Sequence, residues 1–156
     1  YFTMAFAVID RRSGMVELVQ AGHPHPMLIR SDGRVQKLGH GGLPVGLVPE
    51  ARFDTIRVPV APGDRLVLIS DGFTECPLPD GQDFGEAGLI RSLTQSAHLS
   101  GADLLEAMVW DLTSQAGTDS FPDDVSGIVF DLLPQDTRQH RPVAGTSQPG
   151  QRLFEW

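Results

Sequence analysis

The apolar positions of this chain fall into short, strand-like runs up to Ser70 and into helical spacing after Gly85. Phe2 to Ile9 and Met15 to Ala21 read as two strands around the turn Asp10-Arg11-Arg12-Ser13-Gly14, which predicts a hairpin. Met27 to Arg30 and Val35 to Leu38 flank Ser31-Asp32-Gly33-Arg34, and the Asp-Gly step predicts a second hairpin. In Arg52 to Val60 the apolar residues Ile56, Val58 and Val60 alternate with polar ones, as in a half-covered strand. After the Pro62-Gly63 turn, Arg65 to Ser70 (RLVLIS) is a nearly continuous apolar run, the mark of a strand buried on both faces.

Beyond that point the period changes. Leu89, Ile90 and Leu93 put one apolar face on a helix over Gly85 to Ala97. Ser100 with Asp103 resembles a capping box opening a second helix, whose apolar face carries Leu104, Leu105, Met108, Val109 and Leu112. Gly117 to Asp124 is polar, and Val125 to Leu133, rich in Val, Ile, Leu and Phe, reads as a last, strongly buried strand. Pro134 to Gly150 is rich in Gln, Pro, Gly, Ser and Arg without periodicity, the composition of a flexible linker. Leu153, Phe154 and Trp156 then form a small apolar patch, suited to a docking peptide or to the start of a following segment. Many antiparallel strands, two helices and a final strand make an α+β pattern, not the βαβα alternation of a doubly wound sheet.

Composition narrows the function classes. The chain has 156 residues, 40% hydrophobic and 21% charged, enough for one domain with its own core. It starts at Tyr1, already inside a strand pattern, so the expectation is a segment cut from a longer protein. No apolar run approaches the roughly 20 residues of a membrane-spanning helix, and the first residues do not read as a secretory leader. The net charge is −8, with a single lysine, Lys37, and no basic cluster beyond Arg11-Arg12. Nucleic acid and anionic membranes both require a positive surface, so neither is expected as a partner. Cys76 is the only cysteine, which excludes an internal disulfide and makes a reducing, cytoplasmic setting the expectation.

Three groups of residues carry candidate chemistry. Ser70-Asp71-Gly72 ends the buried RLVLIS strand, where a sheet would hold the Asp71 carboxylate rigidly and Gly72 would admit a close neighbour. Read alone, it is sooner the Asp of an ordinary turn. Asp123-Asp124 stands directly before the last strand, where paired carboxylates repel one another unless a cation lies nearby. Read alone, it is a solvated loop. If the two strands are neighbours, the two carboxylate sites converge, and an all-oxygen ligand set suits Mg²⁺ or Mn²⁺ better than zinc. In Gly22-His23-Pro24-His25-Pro26, the prolines impose an extended path. His23 suits hydrogen bonding or proton transfer beside such a site, and a structural loop histidine stands equally with that role. A zinc hydrolase built on His23 and His25 is a more distant alternative. The loop Gly41-Gly42-Leu43-Pro44-Val45-Gly46 lacks the P-loop lysine and the dinucleotide fingerprint and reads as backbone-shaping. Cys76 has Gln82 six residues on, where a cysteine-nucleophile phosphatase needs arginine.

Taken in order, YFTMAFAVID, VELVQAGHPHPMLI, GGLPVGL, APGDRLVLISDGFTE, FGEAGLI and DDVSGIVFDLL closely resemble the bacterial PPM-family phosphatases of the SpoIIE type, relatives of protein phosphatase 2C. The resemblance covers residues 2–133. It implies an α-β-β-α sandwich of two antiparallel sheets, here without its first strands and helices, with residues 1–133 as the C-terminal part of the domain and 134–156 as a flexible tail. It further implies a binuclear Mn²⁺ or Mg²⁺ site that hydrolyses phosphoserine or phosphothreonine through a metal-activated water. The family's metal-binding aspartates fall on Asp71 and Asp123, with Asp124 beside the second as a weaker candidate. Its Ala-Gly-His-Pro segment falls on Ala21 to Pro24, placing Gly22 and His23 in the active-site region, and its acidic residue after Asp-Gly-x-Thr falls on Glu75. Gly72 shapes the same turn. The implied partners are a phosphorylated anti-anti-sigma (STAS-like) protein, an upstream sensor or receiver domain, and a second copy in a homodimer. The family's earlier metal-binding aspartate lies upstream of these residues, so the segment alone is expected to bind metal poorly and to be inactive. A catalytically inactive, phosphatase-like interaction module is the competing expectation.

Overall fold

The computed structural model describes residues 1–134. The expected tail, apart from Pro134, and the apolar patch at Leu153, Phe154 and Trp156 lie outside the described residues.

Among the described residues, seven strands and two α-helices follow one another as β1 (Met4–Asp10), β2 (Met15–Ala21), β3 (Met27–Ile29), β4 (Val35–Lys37), β5 (Thr55–Pro59), β6 (Arg65–Ile69), α1 (Gly85–Gln95), α2 (Gly101–Ala116) and β7 (Gly127–Asp131). Every expected element forms, most of them shortened at the ends. The fifth strand begins at Thr55 instead of Arg52 because its ladder with β2 stops at the pair Val19 and Thr55. Beyond that pair the side chain of Gln20 turns to the glycine-rich loop instead, bonding the Gly41 amide.

The strands form two antiparallel sheets, β1-β2-β5 and β4-β3-β6-β7. Each predicted hairpin keeps to one sheet, β1β2 in the first and β3β4 in the second. The links β2β3, β4β5 and β5β6 cross between the sheets. Pro24 and Pro26 occupy the first crossing. A residue without an N–H cannot extend a ladder, so the chain leaves one sheet there and joins the other.

Strand alternation divides the interior into two apolar layers. Val16, Leu18, Val58, Leu28 and Leu66 pack between the sheets. Met27, Ile29, Val67 and Ile69 project from the opposite face of the second sheet onto the helices, against Leu89, Leu93, Leu104, Met108 and Leu112. Leu104, Met108 and Leu112 recur every four residues and form one stripe of α2. Each fully buried leucine contributes about 2 kcal/mol. Asp64 and Arg65 open β6 as buried polar groups, both satisfied. Asp64 accepts from the amides of Ser31 and Ala61 and from Arg30, and Arg65 donates to the carbonyls of Ala97 and Leu99.

Two expectations need correction. Ser100 does occupy the N-cap of α2, but its side chain makes no capping hydrogen bond. The next residue, Gly101, takes a left-handed φ of 52°, which is not the geometry a capping box requires. The last strand is only half covered, because Ile128 and Phe130 are 56% and 45% exposed. They belong to β7, which lies at the edge of its sheet. Phe6 and Val8 on β1 are exposed for a related reason: the only helical layer among the described residues covers the other sheet. No helix among the described residues is long and apolar enough to cross a membrane.

Candidate active site

Strands β6 and β7 are adjacent and antiparallel, with Ile69 opposite Gly127. The end of β6 and the start of β7 therefore emerge at the same sheet edge. Ser70 ties them together there. Its amide donates to the Ser126 carbonyl at 2.9 Å, and its hydroxyl donates to the Asp124 carbonyl at 2.7 Å and accepts from the Ser126 amide at 2.9 Å. The approach of the Asp71 segment to the Asp123-Asp124 segment is thus a consequence of strand pairing.

After Ser70 the chain forms a single 3₁₀ turn, Asp71–Phe73. Phe73 is 1% exposed and anchors the turn in the helix-side core, which leaves Asp71 at the surface. The Asp71 carbonyl accepts from the Thr74 and Glu75 amides, both at 2.8 Å. Gly72 passes so close to the neighbouring loop that a Cβ there would lie 2.9 Å from the Asp124 carbonyl carbon and nearer still to its oxygen. Asp123 is exposed and accepts from the Asp124 amide through Oδ1 at 2.7 Å.

A cavity of about 230 Å³ opens beside Asp71, lined among others by His23, His25, Thr74, Glu75 and Glu86. The inter-sheet crossing supplies the histidine wall. Gly22, at φ 67°, lies where a Cβ would be 2.7 Å from Pro44 Cγ, so the crossing rests directly on the glycine-rich loop. Both imidazoles are fixed by backbone carbonyls: His23 Nδ1 lies 3.0 Å from the Pro24 carbonyl and His25 Nδ1 lies 3.0 Å from that of Leu38. A carbonyl only accepts, so each contact places the proton on Nδ1. Glu86, in the first turn of α1, lines the cavity beside His25. It pairs with Lys37 at 2.9 Å and lies 3.7 Å from His25 Nε2.

The cavity brings together Asp71, Glu75, His23 and Gly22, four of the residues singled out from the sequence. Asp123 and Asp124 do not line it, although their loop touches Gly72. Among the described residues no three His, Cys, Asp or Glu side chains are grouped closely enough to hold a metal ion. The donor chemistry nevertheless fits a hard cation. Asp71 and Asp123 are exposed carboxylates at one sheet edge, and oxygen donors of this kind suit such an ion. Sequence reasoning overlooked Glu86 and Gln20. Glu86 gave no signal in its own segment. Gln20 did give one, as the polar residue continuing the inward-facing series Val16, Leu18, Gln20.

Two antiparallel sheets with helices on one outer face and an acidic edge where β6 meets β7 define a PP2C-type phosphatase fold. The model of the family "Stage II sporulation protein E (SpoIIE)" matches residues 1–133, and the chain belongs to that family. It is 31% identical over 94 residues to protein IcfG of a Synechocystis strain, covering 60% of this chain and 15% of that protein. Among solved structures, the SiaA-PP2C domain of Pseudomonas aeruginosa superimposes with a TM-score of 0.72 at 24% identity, over 83% of this chain and 51% of that one. The phosphatase domain of SpoIIE from Bacillus subtilis, presoaked with Mn, gives 0.67 at 18% identity, over 86% and 58%. At these identities the two structures show the fold. The chain spans about half the length of each, and a much smaller part of the curated relative.

Proposed function

We propose that these residues are the C-terminal part of a metal-dependent serine/threonine protein phosphatase. The observation that carries this reading is the shared edge of β6 and β7, where the Ser70 hydrogen bonds hold the Asp71 and Asp123 segments side by side. Asp71 and Asp123 would hold Mn²⁺ or Mg²⁺, with Asp124 as the weaker candidate, and the remaining ligands would come from elsewhere in the complete protein. When bound, such an ion polarises the phosphoryl group and supplies an activated water. The chain's own residues do the rest. Gly72 admits the Asp124 loop, Glu75 and Thr74 line the cavity beside Asp71, and His23 is placed there to move a proton through Nε2, its Nδ1 being held by the Pro24 carbonyl.

The substrate class, phosphoserine or phosphothreonine on an anti-anti-sigma (STAS-like) protein in a cytoplasmic partner-switching pathway, follows from the family resemblance. So do an upstream sensor or receiver domain and homodimerisation. The absence of a three-residue metal grouping among the described residues favours a second reading, an inactive phosphatase-like interaction module.

The complete protein separates the two. With p-nitrophenyl phosphate, hydrolysis should require added Mn²⁺ or Mg²⁺, and Asp71→Asn and Asp123→Asn should each lower it by at least about 100-fold, the scale of losing a metal ligand or its alignment. Activity that persists in either variant, or in excess chelator, defeats the phosphatase reading.

A further inference from the structure

Gln20 is a buried amide, 7% exposed, at an inward-facing position of β2 where Val16 and Leu18 precede it. A polar group buried among aliphatic side chains costs stability unless each of its atoms finds a partner. Here both ends are engaged. Nε2 donates to the His23 carbonyl at 2.6 Å, and Oε1 accepts from the Gly41 amide at 2.8 Å. The same Nε2 stands 3.4 Å from His25 Nδ1, longer than that nitrogen's 3.0 Å contact with the Leu38 carbonyl. One side chain thus touches both histidine segments and the glycine-rich loop.

The loop is built around this amide. Gly39 takes φ 83°, and a Cβ there would collide with Gln20 Oε1 and lie 3.1 Å from its Cδ. At Gly42 a Cβ would lie 3.1 Å from the Gln20 backbone oxygen. Glycine at these two positions lets the loop close on Gln20.

We propose that Gln20 is a positioning residue for the histidine wall of the cavity: it clamps the His23-Pro24-His25 crossing to the Gly39–Gly42 loop and so sets where the two imidazoles stand relative to Asp71. Its catalytic consequence rests on the phosphatase reading, but its structural consequence does not. Prolines remove two of the crossing's amides and the segment belongs to no strand, so the Gln20 amide supplies a restraint the ladder cannot. Gln20 itself does not line the cavity and acts through His23 and His25.

The test uses the complete protein with Gln20→Met, which keeps the length of the side chain and removes both hydrogen bonds, and Gln20→Glu, which keeps the acceptor for Gly41 but turns an oxygen against the His23 carbonyl. Imidazole ¹⁵N spectra should show displaced His23 and His25 signals in both variants. With p-nitrophenyl phosphate and Mn²⁺, kcat should fall about tenfold while KM and the Mn²⁺ requirement stay within about twofold, as expected for misplacement of a group beside the reacting centre. In a His23→Gln background, Gln20→Met should cost almost nothing further in kcat, because both changes act on one element. Unmoved imidazole signals overturn the proposal whatever the activity, as does an unchanged kcat with moved signals. Moved signals in a protein whose wild type hydrolyses nothing in Mn²⁺ would leave the clamp standing and defeat the phosphatase reading instead. Should Gln20→Met fail to fold, Gln20→Glu decides the same points.

Discussion

Gly72→Ala tests whether the β6 and β7 ends must touch. The added methyl would lie 2.9 Å from the Asp124 carbonyl carbon, and closer to its oxygen. Carbon atoms in contact settle about 3.5 to 4.0 Å apart, so one loop must retreat by roughly 0.6 to 1 Å. Neither loop can yield freely. Asp71–Phe73 is pinned by the buried Phe73 ring, and the Asp124 carbonyl is held by the Ser70 hydroxyl at 2.7 Å. Forcing a methyl into such a contact costs about 1 to 3 kcal/mol. The same shift separates the Asp71 and Asp123 segments by up to about 1 Å, a displacement that lowers catalysis on the order of 100-fold. Urea denaturation of the complete protein, read beside Mn²⁺-dependent hydrolysis of p-nitrophenyl phosphate, measures both effects. An alanine variant with wild-type turnover and an unchanged midpoint would show that the two loops do not meet as described and would remove the geometric basis of the shared site.

Two further outcomes follow from buried groups. Asp64 is 2% exposed and accepts from the Ser31 and Ala61 amides and from Arg30 at 3.0 Å, so Asp64→Ala strands two amides, removes the ion-pair partner of Arg30 and should cost about 3 kcal/mol in chemical denaturation. A loss below about 1 kcal/mol would refute that accounting. Burial, and secondarily the charge of Asp83, push the Cys76 thiol pKa up. A raised folded-state pKa means the native state keeps its proton longer than the unfolded chain. The associated stability is complete below the ordinary thiol pKa and is lost as pH rises through the folded value. At pH 8 a disulfide reagent should label Cys76 only in denaturant, and rapid labelling of the native protein would contradict the burial of the thiol.

Much of this protein is legible in its sequence, for local reasons. Turn chemistry at Asp10–Gly14 and Asp32-Gly33 fixed both hairpins, and the run RLVLIS declared a strand covered on two faces, because alternation, apolar runs and turn residues are properties of neighbouring positions. The segments that carry Asp71, His23 and Asp123 were recognisable as well, though each alone read as an ordinary turn or loop. Pairing between strands distant in sequence was not legible. Only the tertiary structure set β6 beside β7, placed the Gly22–Pro26 segment as a crossing between sheets, and brought Gln20, Gly39 and Gly41 together from separate parts of the chain. It also decided that the last strand is an edge: its composition of Val, Ile and Phe promised burial, but burial depends on what stands opposite. Long-range contact is the common cause. Residues about fifty positions apart, such as Ser70 and Asp124, meet only because two strands chose each other, and no local pattern encodes that choice.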